Sequence, residues 1–556
     1  FQSINRRYDI VYGDVMLNFN YNINRFDIAA TVGWTGRYEN MNNIRVSTNG
    51  GLVTENWFDL NASRYTPSST LQRMELLKTG YMGTLSLGWD NYLFLELTGR
   101  QERSSTLKDQ SFFYPSANLS FLFTQAFHMP SWWNYGKLRL SYGIVGNAPE
   151  TYTANIVYEQ GSDNGFTWNT IPSSWGNADI RPEKKYEYEI GLESKFLNNR
   201  LGIDVSYYNN RVKDQILSTP QPSTSGVKNV LMNVGEVANH GWDISISATP
   251  ILTRDFRWDL TANYGVYKNK VVKLADGVPY LEILNSGGSG IKIQAVEGQP
   301  MGDIYAQVPQ VNENGEYLVS DKGLYLNQTE LQKVGNINPA GVGGLFNSFS
   351  YKNVFLDFSI DFRIGGDVIN EMNQYATAVG LTPESLKYRD TEHGGLSYYY
   401  PGDNNSSGIP VQVDPSTGAG PNGEIIYHDG IILPGVVAST GERNTRIIPA
   451  GYYYNTTYNW GTEAEQLTYR HSVFDNSYVK LRELTIGYQF PEKMISKLGL
   501  GRLSVSVFGR NLFYFYKALK NYDAESSVGT SWANQATVGS STTATRSFGV
   551  SLRASF

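Results

Sequence analysis

The chain ends in RSFGVSLRASF, Arg546 to Phe556. Phe548, Val550, Leu552, Ala554 and Phe556 fall on one side of an extended backbone, and Ser547, Gly549, Ser551, Arg553 and Ser555 on the other. Side chains of a β-strand alternate between its two faces. A complete separation of apolar from polar residues therefore reads as a strand lying between two different media. The same separation holds for Val354, Leu356, Phe358, Ile360 and Phe362 against Asp357, Ser359, Asp361 and Arg363. It holds for Leu138, Leu140, Tyr142 and Ile144 against Lys137, Arg139, Ser141 and Gly143. It recurs for Tyr186, Tyr188, Ile190, Leu192 and Phe196 against Lys185, Glu187, Glu189, Glu193 and Lys195, so that Glu187 and Glu189 read as lining of a polar lumen.

Extending this pattern along the chain predicts about fifteen strands. They lie near Gly13 to Ile23, Phe26 to Arg37, Met74 to Trp89, Tyr92 to Arg103, Tyr114 to Thr124, Gly136 to Val145, Lys184 to Phe196 and Leu201 to Val212. The rest lie near Val237 to Thr249, Phe256 to Val271, Gly344 to Tyr351, Val354 to Arg363, Tyr478 to Phe490, Leu503 to Phe513 and Arg546 to Phe556. Around Arg482 and Glu483 the alternation changes phase, because Val479 and Leu481 precede Leu484, Ile486 and Tyr488, and the break predicts a bulge. Tight turns at Asn24-Arg25, Asn91, Leu197 to Arg200, Pro250 to Asp255 and Lys352-Asn353 alternate with long links. The long links are Tyr38 to Arg73, Gly146 to Glu183, Lys213 to Glu236, Ala275 to Gly343, Ile364 to Ser477 and Tyr514 to Thr545. Short turns on one side and long loops on the other are the habit of outer-membrane barrels, whose long loops face outward. With that sidedness the first and last visible strands both run inward, so the count is odd. Closed single-chain barrels have an even number, and at least one further strand is expected before Phe1.

Composition agrees with an all-β transmembrane antiparallel barrel. Of 556 residues only 18% are charged and 13% are aromatic, with 39 Tyr and 55 Gly, a turn-rich profile. Mean hydropathy is -0.36 and no run of about eighteen apolar residues occurs, which excludes membrane helices but not a barrel. A net charge of -6 and a pI near 5.6 supply no basic field, so nucleic acid is not an expected partner. There is no Cys, hence no disulfide or thiolate metal site. A soluble β-sandwich array would also alternate. One-sided long loops, the aromatics Tyr12, Trp34, Trp89, Trp242, Trp258 and Tyr488 near strand ends, and the terminal Phe favour the membrane, with lipid as a partner.

Several segments then resemble the SusC-like (RagA-like) TonB-dependent transporters of Bacteroidetes. They are KLRLSYGIVGN (137–147), RPEKKYEYEIGLESKF (181–196), EGQPMGDIY (297–305), GNINP (335–339), YKNVFLDFSIDFRIGGD (351–367), YVKLRELTIGYQFP (478–491) and LSVSVFGRNLF (503–513). The match runs from about Met74 to the C-terminus. The resemblance implies a barrel of about 22 strands around an N-terminal plug, of which residues 1–556 would be the C-terminal portion, the plug and N-terminal strands lying outside it. It implies integral outer-membrane localisation and TonB-dependent import of an oligosaccharide or peptide with a SusD-like surface lipoprotein. The TonB complex would be reached through the N-terminal part. A passive or adhesive barrel and a soluble glycan-binding β protein are the alternatives. Where the family often has an acidic DxNGDG-type turn, this chain has Val311-Asn312-Glu313-Asn314-Gly315-Glu316, which puts calcium in question and predicts a plain Asn-Gly turn.

Catalytic signatures are lacking. His128, His240, His393, His428 and His471 show no HExxH or paired metal spacing, and no GxSxG, P-loop or strand-linked GxGxxG occurs. Each His reads as a loop or interface residue, and His428-Asp429-Gly430 reads as a turn. No enzyme activity, cofactor or metal is expected. The chemistry that stands out is aromatic. Tyr398, Tyr399, Tyr400, Tyr452, Tyr453, Tyr454 and Trp460 fall in the longest link, and Trp168 and Trp175 in another. Exposed rings of this kind stack on sugars or anchor a partner protein, and buried ones pack loops together. The longest link carries too much apolar surface for a flexible linker and is expected to dock the lipoprotein, which would enclose ligand.

Overall fold

The computed structural model describes residues 1–108, 111–163, 166–286, 290–402, 408–459, 468–539 and 544–556. Two compact units are present, residues 1–247 with 267–279 and residues 248–266 with 280–556. Fifteen long strands carry the fold, and sequence neighbours are hydrogen-bonded neighbours throughout each unit. In the first unit these are β1 Gln2–Ile23, β2 Phe26–Leu52, β3 Ser63–Trp89, β4 Leu93–Ser104, β5 Ser111–Phe121, β6 Trp133–Asn147, β7 Glu183–Phe196, β8 Leu201–Lys213 and β9 Glu236–Leu252. In the second they are β10 Phe256–Lys273, β11 Pro339–Tyr351, β12 Val354–Gly365, β13 Tyr478–Gln489, β14 Arg502–Lys517 and β15 Ser547–Ser555. The border between the units runs through β9 and β10.

Alternation becomes two faces because the register matches like with like. In β7 and β6, Glu193 lies opposite Lys137, Leu192 opposite Leu138 and Ile190 opposite Leu140. Arg139 takes both oxygens of Asp204 on β8, at 3.0 and 2.7 Å, with Glu193 3.6 Å away. Leu140, Leu192 and Ile190 stay exposed on the other face. The second unit repeats the arrangement. Ser348 donates to Asp357 at 2.6 Å and Arg510 to Glu483 at 3.0 Å, while Phe548, Val550 and Leu552 are 73%, 71% and 68% exposed. A charge turned toward lipid near the bilayer midplane costs roughly 2–4 kcal/mol, and pairing the charges on the opposite face avoids that cost. The tight turns sit where Asn tolerates left-handed backbone, with φ of 53° at Asn24, 59° at Asn91 and 57° at Asn198. Beside them the first unit gathers Phe26, Trp89, Tyr92, Phe121, Phe123, Trp132, Trp133 and Phe196 into a continuous ring-to-ring belt.

One link is corrected. Residues 38–73 are not a loop, because β2 and β3 run 27 residues each and leave only 53–62 as the tip. A strand needs about 9–11 residues to cross a bilayer; β2, at ~3.3 Å per residue, is ~90 Å long. Its outer part runs beyond that length with polar residues on both faces, Asn40 and Asn42 on one and Glu39, Asn43 and Arg45 on the other, which is why alternation fades after Arg37. The bulge lies where the phase change put it: Ser359 pairs with Glu483 and Ile360 with Leu481, leaving Arg482 as the extra residue.

Three segments that carry the family resemblance meet in the second unit. Asp303, fully buried, accepts from Asn336 Nδ2 at 2.7 Å and pairs with Lys333 at 2.7 Å. Asn338 Nδ2 donates to Met301 O at 2.6 Å, and Asn336 N donates to Asp367 at 2.9 Å. A Cβ on Gly335 would lie 2.4 Å from the Asp367 carboxylate, so only glycine lets the two approach. Beside this clamp Ile291, Ile293, Ile304, Ile337, Ile369 and Val473 form a core. The Asn-Gly turn is present as expected: Asn312 Oδ1 accepts from the Asn314 and Glu316 backbone at 2.9 Å each.

Two outcomes follow. Val550→Arg is expected to destabilise the barrel by roughly 2–4 kcal/mol in urea unfolding from lipid vesicles, with Ser551→Arg on the opposite face nearly neutral. Asp303→Ala is expected to cost about 1.5–3 kcal/mol locally, seen as faster amide exchange over 332–338 with β11 and β12 unchanged.

Candidate functional site

The long links of the second unit are packed bodies. Within the longest, a four-stranded sheet is ordered Val411–Gln412, Leu396–Tyr399, Tyr427–Ile431, Ile448–Pro449. Helices α1 (Glu371–Ala378) and α2 (Ala450–Tyr458) pack against one another. Asn370 caps α1 by accepting from Asn373 N at 2.9 Å.

Sequence reading placed a turn at His428-Asp429-Gly430, and the structure corrects it. These residues lie inside the strand Tyr427–Ile431, where pairing to Leu396–Tyr399 and to Ile448–Pro449 overrides the local turn preference. Alternation separates their side chains: His428 Nδ1 meets Ser397 Oγ at 2.8 Å, and Asp429 accepts from Tyr398 Oη at 3.1 Å. His240 lies in β9, inside the strand expected over Val237 to Thr249.

The aromatic residues divide. Tyr398, Tyr400 and Tyr454 are buried and hold loops together. Tyr398 stacks on Tyr427 with centroids 5.5 Å apart and meets Tyr400 edge-on at 5.5 Å. Tyr454 Oη donates to Glu384 O at 2.7 Å. Tyr453 packs on Tyr454 and Tyr458, and Tyr458 stacks on His471 at 4.3 Å. Burial pushes the Tyr398 and Tyr453 phenols well above the usual range, and burial followed by the Tyr458 phenol pushes Tyr454 up to about 12. Tyr399 and Tyr452 are half-buried, and Trp460 lies outside the described residues. In the first unit Trp168 remains 46% exposed on the strand Phe166–Thr170 beside Phe166, 78% exposed. Trp175 is half-buried and meets Tyr158 edge-on at 5.8 Å.

Tyr400 and Tyr452 also line a cavity of about 400 Å³ whose wall includes Lys322, Pro410, Arg446 and Pro449. Neither cation was singled out in the sequence, where they stand far apart and in no motif. The signals that could have found them are the turn residues Asp321-Lys322-Gly323 and the polar Asn444 just before Arg446.

Burial, then the Arg470 charge, lowers the His471 imidazole from 6.5 to about 4. The folded state binds its proton less readily than the unfolded one, so this contribution to stability is full above about pH 6.5 and is lost as pH falls toward 4. Amide exchange over 468–475 is expected to accelerate across that window, and His471→Phe, which keeps the stack on Tyr458, to remove the dependence.

Residues 1–312 match the family model described as TonB dependent receptor-like, beta-barrel. TonB-dependent receptor P3 of Formosa agariphila is 24% identical over 494 residues, 81% of this chain and 42% of that protein. TonB-dependent receptor SusC of Bacteroides thetaiotaomicron is 30% identical over 247 residues, 41% of this chain and 24% of SusC. The chain thus spans less than half the length of these curated relatives. The solved RagAB peptide importer in its closed-closed state superposes with a TM-score of 0.67 at 19% identity, over 93% of this chain and 53% of that one. The chain is accordingly a SusC-like member of the TonB-dependent receptor β-barrel family, integral to the bacterial outer membrane.

Proposed function

We propose that this chain forms barrel wall and extracellular loops of an energised importer, which takes up an oligosaccharide or peptide through the polar lumen. The plug and TonB-contacting segment would come from sequence outside these 556 residues, and a SusD-like lipoprotein would dock on the loop side and enclose the substrate. The observation that carries this reading is the construction of the long links. They are packed, capped and tyrosine-rich bodies with their own cores, a rigid platform that a pore without a docked partner does not need. The names of the relatives point the same way, since two of the solved neighbours are titled as peptide importers. The reading assigns the chain no covalent step.

Among the described aromatics offered as contacts, Trp168 is the open one and, with Phe166, is the favoured partner anchor; Tyr399, Tyr452 and Trp175 are secondary. A buried aromatic anchor at an interface is commonly worth 2 kcal/mol or more. Trp168→Ala with Phe166→Ala is therefore expected to reduce co-purification of the native surface lipoprotein by about tenfold or more, with the barrel assembled normally. In the native host, loss of this protein and loss of TonB are expected to abolish growth on the same oligosaccharide or peptide source. Growth that needs this protein but survives loss of TonB would establish the passive barrel instead.

A further inference from the structure

The outward face of β7 and β8 changes chemistry along its length. From the tight turn at Leu197 to Arg200 toward the long links it carries Leu192 opposite Val205, Ile190 opposite Tyr207, Tyr188 opposite Asn209, Tyr186 opposite Arg211 and Lys184 opposite Lys213. Contacts between side chains confirm that they share one face. The Tyr207 ring lies 6.5 Å from Tyr188 and 4.9 Å from Trp242 of β9, and Lys213 Nζ stands 5.7 Å from the Tyr186 ring centre. Leu192, Ile190, Tyr188 and Trp242 are exposed, as lipid-facing residues are. The rings therefore close the apolar band, and Arg211, Lys184 and Lys213 stand just beyond it. Strand length gives their depth. Phe196 belongs to the aromatic belt beside the tight turns, and from there to Lys184 β7 runs about 40 Å at ~3.3 Å per residue. A strand tilt of about 40° leaves roughly 30 Å of height, a little more than an apolar band of about 25 Å. Lys184 is thus at headgroup depth on the side of the long links, which is the outer leaflet.

The charges at this level are not balanced within the described residues. Arg211 pairs with Glu236 at 3.0 Å, and Asp214 is taken by Arg181 at 3.6 Å. Glu183 and Glu187, on either side of Lys184, alternate to the opposite face, where Glu187 pairs with Lys185 and Glu183 accepts from Asn147 Nδ2 at 2.8 Å. Among the described residues neither Lys184 nor Lys213 has a carboxylate partner. Like charges directly opposite one another destabilise an antiparallel pair. Slipping the strands apart is no remedy, because the same register holds every apolar row against lipid. An anion shared by the two lysines removes the repulsion. Each ammonium is a compact point charge with three donors, which suits phosphate, and its aliphatic stem tolerates the edge of an apolar surface. Below the cations the rings of Tyr188, Tyr207 and Trp242 and the side chains of Ile190 and Leu192 continue as an apolar slope. A molecule that matches this order is anionic at one end and apolar at the other.

We propose that Lys184 and Lys213, with Arg211 beside them, bind the phosphate of an outer-leaflet lipid headgroup, whose acyl chains lie along Tyr188, Tyr207, Trp242 and Ile190. Binding at this depth follows from the place of the barrel in the membrane and is independent of import. The test uses the full-length protein in detergent, titrated with lipid A carrying its phosphates and with the same lipid stripped of them, the complexes being counted by native mass spectrometry. The phosphorylated lipid should bind about tenfold or more tighter than the stripped one. Lys184→Gln combined with Lys213→Gln should remove most of that preference, and Lys184→Arg combined with Lys213→Arg should keep it, with heat-modifiable gel migration confirming a folded barrel in every variant. A large excess of inorganic phosphate should leave the lipid bound, since it cannot use the apolar slope. Equal binding of the two lipids, or a preference that survives in the double Gln variant, overturns the site. Displacement of the lipid by inorganic phosphate overturns the lipid assignment in favour of a free anion. Loss of a co-purified protein, rather than of lipid, from the double Gln variant overturns it in favour of a protein contact.

Discussion

Everything in this fold depends on a backbone that cannot leave its amides unpaired where water is absent. A strand in a bilayer satisfies them only through its neighbours, so consecutive strands must pair along their length, and the side chains are left to sort between lipid and lumen. The pairing of β6, β7 and β8 shows both consequences at once. The register that closes the ladder also brings Arg139 to Asp204 and Glu193 and leaves Leu140, Ile190 and Leu192 outward. Had the register slipped by one residue, each of those charges would have changed face.

Outside the bilayer the constraint is relaxed, and different chemistry takes over. The outer halves of β2 and β3 continue as strands with polar residues on both faces, because their ladder remains useful while sorting is no longer required. In the second unit the links replace sorting by conventional cores, built from Ile291, Ile293, Ile304 and Ile369, or from Leu324, Ile431, Leu433 and Ile448. The family motifs at 297–305, 335–339 and 351–367 belong to this second kind of order. They join β11 and β12 to the links through the buried Asp303 and through Asp367, and they say nothing about cargo.

This division explains what could be read in the sequence. Strands such as β7, β12 and β15 were legible because each of their residues lies in one of two media, and the bulge at Arg482 was legible because a phase change needs an extra residue. The outer parts of β2 and β3 were not, since polar residues on both faces, such as Asn40 and Glu39, remove the pattern. Tyrosine hides its fate for another reason. It is amphipathic, so composition could not decide between exposure and burial for Tyr398, Tyr400 or Tyr454. Distant partners decided it, namely Asp429 for Tyr398 and the Glu384 carbonyl for Tyr454. Lys322 and Arg446 were invisible for the same reason, because only the turn at Gly323 and the strand at Ile448 bring them to one cavity.

The segment that follows β14 shows how the two kinds of order are joined. Lys480 and Arg482, on β13, both reach Glu525, at 2.5 Å in each case, and Arg482 also binds Asp361 and Asn511. Burial works against the Glu525 carboxylate, but hydrogen bonds from Arg482 and Lys480 outweigh it and hold the group below its ordinary range. Desolvation offsets much of the attraction in such a cluster, so its net contribution to stability is small compared with the number of bonds drawn. Its geometric effect is larger. Leu519 and Val538 pack on Val368, a contact that tolerates sliding, whereas a carboxylate shared by two cations and fixed through the Arg482 fork admits one alignment. Since Arg482 is the extra residue of the bulge, the irregularity in the wall is also the point at which an external segment is registered upon it.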